Sequence, residues 1–260
     1  MSVNIDMPIF ISKPMKYLFP SNIWQVLLLL FLPLILSSPC FFLLMKMDLS
    51  IEKFIPIYFF AYTFTVIVFF FTISKIKKQP IDYDFTPRKT VNLGLFILLV
   101  ICFQIGINIP LTKLMSFVLQ SQIISESFHI SSLELLGALF LAPILEEFIF
   151  RGIILRGLLS RYSSTKAIIV TAILFALIHI NPTQILGAFI LGLFFSWIYY
   201  YTKSIVICIL LHFVANGTSI LFQYSTQILS LNDWYFHGSS VVVFSFLAFK
   251  LFGRIGNSIE

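Results

Sequence analysis

The feature that most restricts the fold is an unbroken run of 23 residues, Ile23–Met45, without a single charged side chain. A helix rises 1.5 Å per residue, so such a run crosses the roughly 30 Å hydrocarbon core of a bilayer. Seven further apolar stretches follow: Phe54–Ser74, Val91–Ile109, Leu133–Phe150, Ala167–Ile180, Gln184–Tyr201, Ser204–Phe222 and Ser239–Phe252. Polar breaks separate them, and Asn181-Pro182 stops the fifth. The 260 residues are 59% hydrophobic and 11% charged, whereas a soluble domain is about half apolar and a quarter charged. A β-barrel would alternate apolar and polar residues instead of running apolar throughout. The expectation is an all-α, polytopic transmembrane helical bundle of about eight membrane helices. It forms one integral membrane domain over residues 1–260, multi-pass in the cell membrane. The first run exceeds a signal-peptide core and ends without a small-residue cleavage site, so it is expected to stay as a span.

Basic residues orient the spans. With the N-terminus inside, 14 of the 17 Lys and Arg residues fall on the cytoplasmic side, leaving only Lys46, Lys53 and Lys113 outside. The positive-inside rule therefore places both termini in the cytoplasm, anchored most strongly by the KIKKQPIDYDFTPRK stretch between spans two and three. No basic block interleaved with aromatics is present, which argues against a nucleic-acid partner. Cys40, Cys102 and Cys208 lie in three separate apolar runs and read as small buried hydrophobes. Gln104 and Asn108 in span three either line a cavity or join helices by hydrogen bonds.

Against this background the segment LEEFIFRGIIL, residues 145–155, stands out. A charge at the centre of a span costs roughly 2.5–3.5 kcal/mol on insertion scales, so such charges usually face a protein interior or water and serve function. Glu147 and Arg151 are four apart with the acid first, the favoured order for an ion pair on one helix face. Glu146 is rotated about 100° from Glu147. One glutamate is thus neutralised locally and the other is free to face a cavity. Arg151 alone would fit a snorkelling anchor, but paired acids do not.

Two more spans carry polar groups at the same spacing. Phe175 and His179 are four apart in FALIH, and His212 and Asn216 are four apart in HFVAN, so each pair shares a helix face. Helix rise from the expected cytoplasmic ends puts Glu146, His179 and His212 at roughly 8, 18 and 12 Å depth, within reach of one another given tilt. An earlier start to the fifth helix would worsen that fit. His129 and His237 fall in expected outer loops and look incidental. Pro143 should free the Leu139 carbonyl and kink the helix beside Glu146, and Gly152 and Gly157 allow close packing.

Two hydrolytic chemistries suit this set. In one, Glu146 is the general base on a water that His179 helps position, while His212 and Asn216 donate hydrogen bonds to a developing oxyanion. In the other, Glu146, His179 and His212 are the ligands of an open zinc site whose metal activates the water. No HExxH pair is present. A non-catalytic reading also stands, in which the cluster holds the helices of a scaffold or immunity protein that binds a peptide or partner. A proton-coupled transporter is weaker, since no inverted repeat is visible.

EEFIFR, FALIH and HFVAN resemble, in order, the EExxxR, FxxxH and HxxxN/B motifs of the CPBP family. These are the intramembrane proteases also called the CAAX protease and bacteriocin-processing (Abi) family. The resemblance covers about residues 134–220, inside a motif-bearing core of 132–222. It implies an eight-helix-type intramembrane endopeptidase whose site opens to the cytoplasm or inner leaflet. It implies catalytic roles for Glu146, His179, His212 and Asn216, with Glu147, Arg151 and Phe175 supporting them. Family members include type II CAAX prenyl proteases, and bacterial relatives are linked to bacteriocin self-immunity. The implied substrate is a membrane-associated peptide or protein, possibly lipidated, and the implied cofactor is either zinc or none.

Overall fold

A computed structural model of the chain describes residues 17–47, 49, 51–79, 92–119, 132–179, 181–229 and 233–257. Lys13, Lys16, His129 and the middle of the basic stretch, residues 80–89, lie outside the described residues. Among the described residues the fold consists of eight helical rods and no strand. They are α1 (Ile23–Met45), α2 (Ile51–Ile76), α3 (Leu93–Val118), α4 (132–159), α5 (Ser164–Leu177), α6 (Ile185–Thr202), α7 (Ile205–Leu229) and α8 (Asp233–Asn257). Five are long and apolar enough to cross a membrane over some or all of their length: α1, Pro56–Ile76 of α2, α3, α6 with its preceding turn, and Ile205–Ser225 of α7. The chain is a multi-pass helical membrane protein. Its outward faces carry Trp24, Phe31, Phe64, Phe117 and Phe249, large apolar side chains that suit lipid as solvent.

Local sequence explains where the rods start, break and stop. Asn22 caps α1 by accepting from the Gln25 backbone N–H at 3.0 Å. The same helix breaks at Ser37, just before Pro39, which cannot donate to the turn before it. Asn181 accepts from the Thr183 N–H (3.1 Å) and hydroxyl (2.8 Å), building the tight turn that launches α6. Lys203, in the left-handed region at φ 58°, ends α6.

Two rods depart from α geometry at matching places. In α3, Gln104–Asn108 is a π segment, and the Ile109 N–H bonds to the Gln104 carbonyl five residues back. In α4, Gly137–Leu141 is another, closed by the Ala142 N–H on the Gly137 carbonyl. Each is followed by a proline two residues later, Pro110 and Pro143. Proline has no N–H, so the carbonyl five residues before it cannot receive the next π bond. A third π segment, Phe148–Leu155, carries α4 past Arg151 to Leu159, well beyond the expected end at Phe150.

That last stretch is the centre of the molecule. Ile149, Phe150, Ile153, Ile154, Leu155 and Leu158 are all buried, packed with Phe175 from α5, Phe195 and Ile198 from α6, and Leu211 and Ala215 from α7. α5 and α6 pack closely because Gly192 presents no side chain; a Cβ there would sit 3.1 Å from the Ala172 Cα and 3.2 Å from the Phe175 ring. At the end of α4, Gly157 lies against the Pro20 carbonyl of the segment preceding α1, the close packing expected of that glycine. Gly152 is buried.

His237 is a correction. It lies in the first turns of α8, buried against Phe222, and its Nδ1 bonds to the Ile105 carbonyl of α3. The polar sequence DWYFHGSS resembled a loop, but it is the start of a helix whose polar side faces α3.

Candidate active site

The site grows from a six-residue α-helical piece, Ala142–Glu147, held between two π segments. Because this piece is α-helical, the roughly 100° offset between Glu146 and Glu147 holds. Glu147 and Arg151 are both fully buried and form the ion pair expected from their spacing, with Nη1 donating to Oε1 at 2.7 Å. Arg151 also donates from Nη2 to the Gly192 carbonyl at 3.1 Å. Its guanidinium lies over the rings of Phe175 (4.7 Å) and Phe195 (5.6 Å), so aromatic faces stand in for lost water.

Glu147 has a second partner. His212 Nδ1 lies 2.8 Å from the same carboxylate oxygen that Arg151 holds, while Nε2 faces Glu146 Oε2 at 3.9 Å. The imidazole therefore sits between the two glutamates, one at each ring nitrogen. A carboxylate paired with Arg151 can only accept, which assigns the proton to Nδ1 and leaves Nε2 turned toward Glu146. Phe175 and Phe195 frame the ring, at 6.0 and 5.6 Å between centroids. Glu146 itself is the less enclosed acid, with its side chain 13% exposed against 0% for Glu147.

His179 lies just past the end of α5, and its Nδ1 bonds to the Phe175 carbonyl at 2.9 Å. A carbonyl only accepts, so this bond likewise places a proton on Nδ1 and directs Nε2 away from the backbone. α5 begins at Ser164, earlier than the depth comparison assumed, so His179 is deeper than about 18 Å by that measure. Phe175 nevertheless joins it to the cluster, its ring 5.1 Å from that of His179 and 6.0 Å from that of His212. Phe175 touches Arg151, His179 and His212 edge-on or face-on, which accounts for an aromatic at that position. Asn216, half-buried one turn beyond His212, donates from Nδ2 to the Ala138 carbonyl of α4 at 2.8 Å. The carbonyl taking this outside donor precedes Pro143 by five residues, not the four that α spacing predicts for Leu139.

Three contributors escaped the sequence reading: Glu147 as a partner of His212, the Gly192 carbonyl, and Phe195 beside His212. Gln104 is an interhelical link, and Asn108 holds its amide from one turn along the same helix. Gln104 Nε2 donates to the Ala215 carbonyl (2.8 Å) and the Ser219 hydroxyl (3.1 Å) of α7, and Asn108 Nδ2 donates to Gln104 Oε1 (2.6 Å). α7 is thus tied to α3 at Ala215 and to α4 at Asn216, directly after His212. Cys102 and Cys208 are buried, Cys40 is half-buried, and all three are free thiols.

For zinc, the expected ligand set was Glu146, His179 and His212. Among the described residues no three His, Cys, Asp or Glu side chains come together as a group able to hold a metal ion. Glu147 and the Phe175 carbonyl each engage one histidine nitrogen, leaving Glu146 and two Nε2 atoms that do not close into such a group.

Residues 129–218 match the family described as type II CAAX prenyl endopeptidase Rce1-like. All seven motif residues fall within that match. Over this stretch the chain is similar to the CPBP family. A relative in Staphylococcus aureus (strain USA300), the membrane-embedded CAAX protease MroQ, is 32% identical over 89 residues. The similarity covers 32% of this chain and 36% of that relative, so it concerns a shared core of about a third of each. No solved structure shows significant similarity to the chain. In CPBP terms, α4, α5 and α7 carry the three motifs, while α6 supplies Gly192 and Phe195 behind them.

Proposed function

We propose that the chain is an intramembrane endopeptidase that hydrolyses a peptide bond of a membrane-associated peptide or protein, lipidated or not, near the cytoplasmic leaflet. The observation that carries this reading is the His212 imidazole held between two glutamates of different environment. A water resting against Glu146 Oε2 and His212 Nε2 has a carboxylate to take its proton and an imidazole to receive or return one. Glu146 removes the proton, and the hydroxide attacks the carbonyl carbon. Glu146 passes the proton it took to His212 Nε2, and the resulting imidazolium, stabilised by Glu147 through Nδ1, meets the oxyanion, as a buried acid does behind a catalytic histidine elsewhere. Proton return to the leaving nitrogen completes hydrolysis. His179 orients the water through its Nε2. Arg151 does not touch substrate; it fixes Glu147. No step passes through a metal.

Similarity to the CPBP family supports the reaction class, and the partial coverage leaves substrate and partners to experiment. The test uses purified full-length protein in detergent or nanodiscs, presented with quenched fluorescent peptides from membrane-anchored sequences. Wild type is run beside Glu146→Gln, with metal content measured on the same samples. Glu146→Gln keeps shape and removes the base, so cleavage should fall by on the order of 100-fold or more with an unchanged elution profile. Full cleavage by that variant refutes the assignment. Absence of cleavage in wild type, with peptide still bound, favours a scaffold or immunity role instead.

A further inference from the structure

We propose that a slot between α3, α6 and α8 binds one acyl chain of an anionic phospholipid, and that this chain supports α6 from behind the candidate active site. The slot holds about 350 Å³, at the small end of the ~300–1,000 Å³ typical of ligand pockets. Leu99 and Val100 of α3 form its floor, Leu193 and Trp197 of α6 one wall, and Phe244 and Ala248 of α8 the other. Its origin is local. α8 is seated on α3, where a Cβ on Gly106 would lie 2.8 Å from the Val241 backbone nitrogen and the rings of Phe103 and Phe244 meet at 6.0 Å. One turn further along α8, Ala248 offers only a methyl group to the facing wall.

The lining selects hydrocarbon. Among the described residues that line the slot none is charged, and Trp197 alone carries a polar side-chain atom. Water needs several polar partners, which these walls do not supply, whereas a hydrocarbon chain gains dispersion contacts along its length. The geometry makes that hydrocarbon a bilayer lipid. Leu99 and Val100 are buried while Leu193, Trp197, Phe244 and Ala248 are half-buried, so the slot is closed by α3 and open between α6 and α8. Its α6 wall belongs to the stripe Leu186, Ile190, Leu193, Trp197 and Tyr201, whose two ends are exposed, so the slot is continuous with the lipid-facing surface. Trp197 and Tyr201 stack at 5.9 Å, a pair suited to headgroup level. Lys203 follows at the end of α6, its ammonium 4.4 Å from the centre of the Tyr200 ring. A lipid phosphate at that end meets a cation, and its chain runs from Trp197 toward Ile190, about 10 Å of helix rise. Leu191 and Phe194 also line the slot, while their neighbours Gly192 and Phe195 face Arg151 and His212. The chain therefore backs the same turns of α6 that carry the Gly192 carbonyl and the Phe195 ring.

The experiment uses full-length protein in phosphatidylcholine nanodiscs, with Trp24→Phe and Trp234→Phe so that Trp197 is the remaining tryptophan. The discs carry increasing shares of phosphatidylglycerol brominated on its acyl chains, and quenching of Trp197 is read. Quenching should saturate at a low share and be reversed by unbrominated phosphatidylglycerol. Ala248→Phe puts a ring where the chain lies and should remove most of the quenching without lowering the unfolding midpoint. Ala248→Leu serves, with a smaller loss, where the ring prevents folding. Lys203→Asn removes the cation but keeps a residue that tolerates left-handed backbone, and should raise the share needed for half-quenching about fivefold. Quenching that grows in proportion to the brominated share, or that neither position alters, is ordinary bilayer contact and overturns the proposal. Relief of quenching by an S-prenylated peptide, or by a second copy of the protein in the disc, gives the slot another occupant and overturns it too. The support of α6 is read by cleavage in short-chain detergent stripped of phospholipid, where wild type should slow and Ala248→Phe should not; equal slowing overturns the support. That arm rests on the protease reading: if wild type cuts no peptide even in lipid, that reading fails, while the quenching still decides the lipid site.

Discussion

Replacing Arg151 by methionine tests the electrostatic logic of the whole site. The side chain is fully buried, donates to Glu147 at 2.7 Å and to the Gly192 carbonyl at 3.1 Å, and covers two aromatic faces. Methionine fills most of the volume but leaves the Glu147 carboxylate buried with only His212 beside it. Breaking a buried pair from one side costs about 3–5 kcal/mol, because the stranded charge has neither water nor its countercharge. The Gly192 carbonyl adds little, since it lies within a helix and keeps its own turn. Removing both charges, as Glu147→Leu with Arg151→Met, eliminates the stranded charge, and such replacements are often neutral or stabilising. The double variant should then be more stable than Arg151→Met while remaining inactive, because His212 Nδ1 loses the oxygen that orients it. Urea or thermal unfolding in micelles, paired with peptide cleavage, reads both quantities. An Arg151→Met protein within about 1 kcal/mol of wild type, the value of an exposed pair, refutes the reasoning. A double variant less stable than Arg151→Met refutes it equally.

Gly192→Ala should cost about 1–3 kcal/mol and reduce the turnover rate, because the new methyl crowds Ala172 and pushes Phe175 away from Arg151 and both histidines. Unfolding and steady-state kinetics measured together check this, with turnover falling more than apparent affinity. His237→Ala should cost about 1–3 kcal/mol by leaving the Ile105 carbonyl without its donor, yet cleave at the wild-type rate. A cleavage defect in that variant would tie α8 to the chemistry.

Apolar runs and charge spacing were legible because they depend on composition and a fixed helical period. All eight runs became helices, and the Glu147–Arg151 pair follows directly from i, i+4 spacing on a buried face. What stayed hidden depends on departures from that period. A π segment adds a residue to a turn without any signature in hydropathy, so neither the shift from Leu139 to Ala138 nor the extension of α4 to Leu159 could be read. Glu147 was assigned to Arg151 alone because intrahelical geometry names one partner, whereas a carboxylate oxygen accepts from two directions. His237 was misplaced because the polar opening turns of α8 look like a loop until Ile105 supplies their reason. The prolines were one available signal: Pro110 and Pro143 each follow by five residues a carbonyl that takes a side-chain donor from another helix.

The short segment before α1 has a consequence for how the molecule is assembled. The Leu18 N–H bonds to the Ser160 hydroxyl at the end of α4, and Pro20 rests on Gly157. The Phe19 N–H bonds to Gln79 just past α2. These partners lie 60 and 142 residues further along the chain, so this stretch emerges from the ribosome well before them and must wait for them before it can be latched. Until then α1 and α2 are inserted with their shared end unfastened. Closing that latch ties the foot of the glutamate-bearing helix to a segment made long before it, a late step in assembling the candidate site.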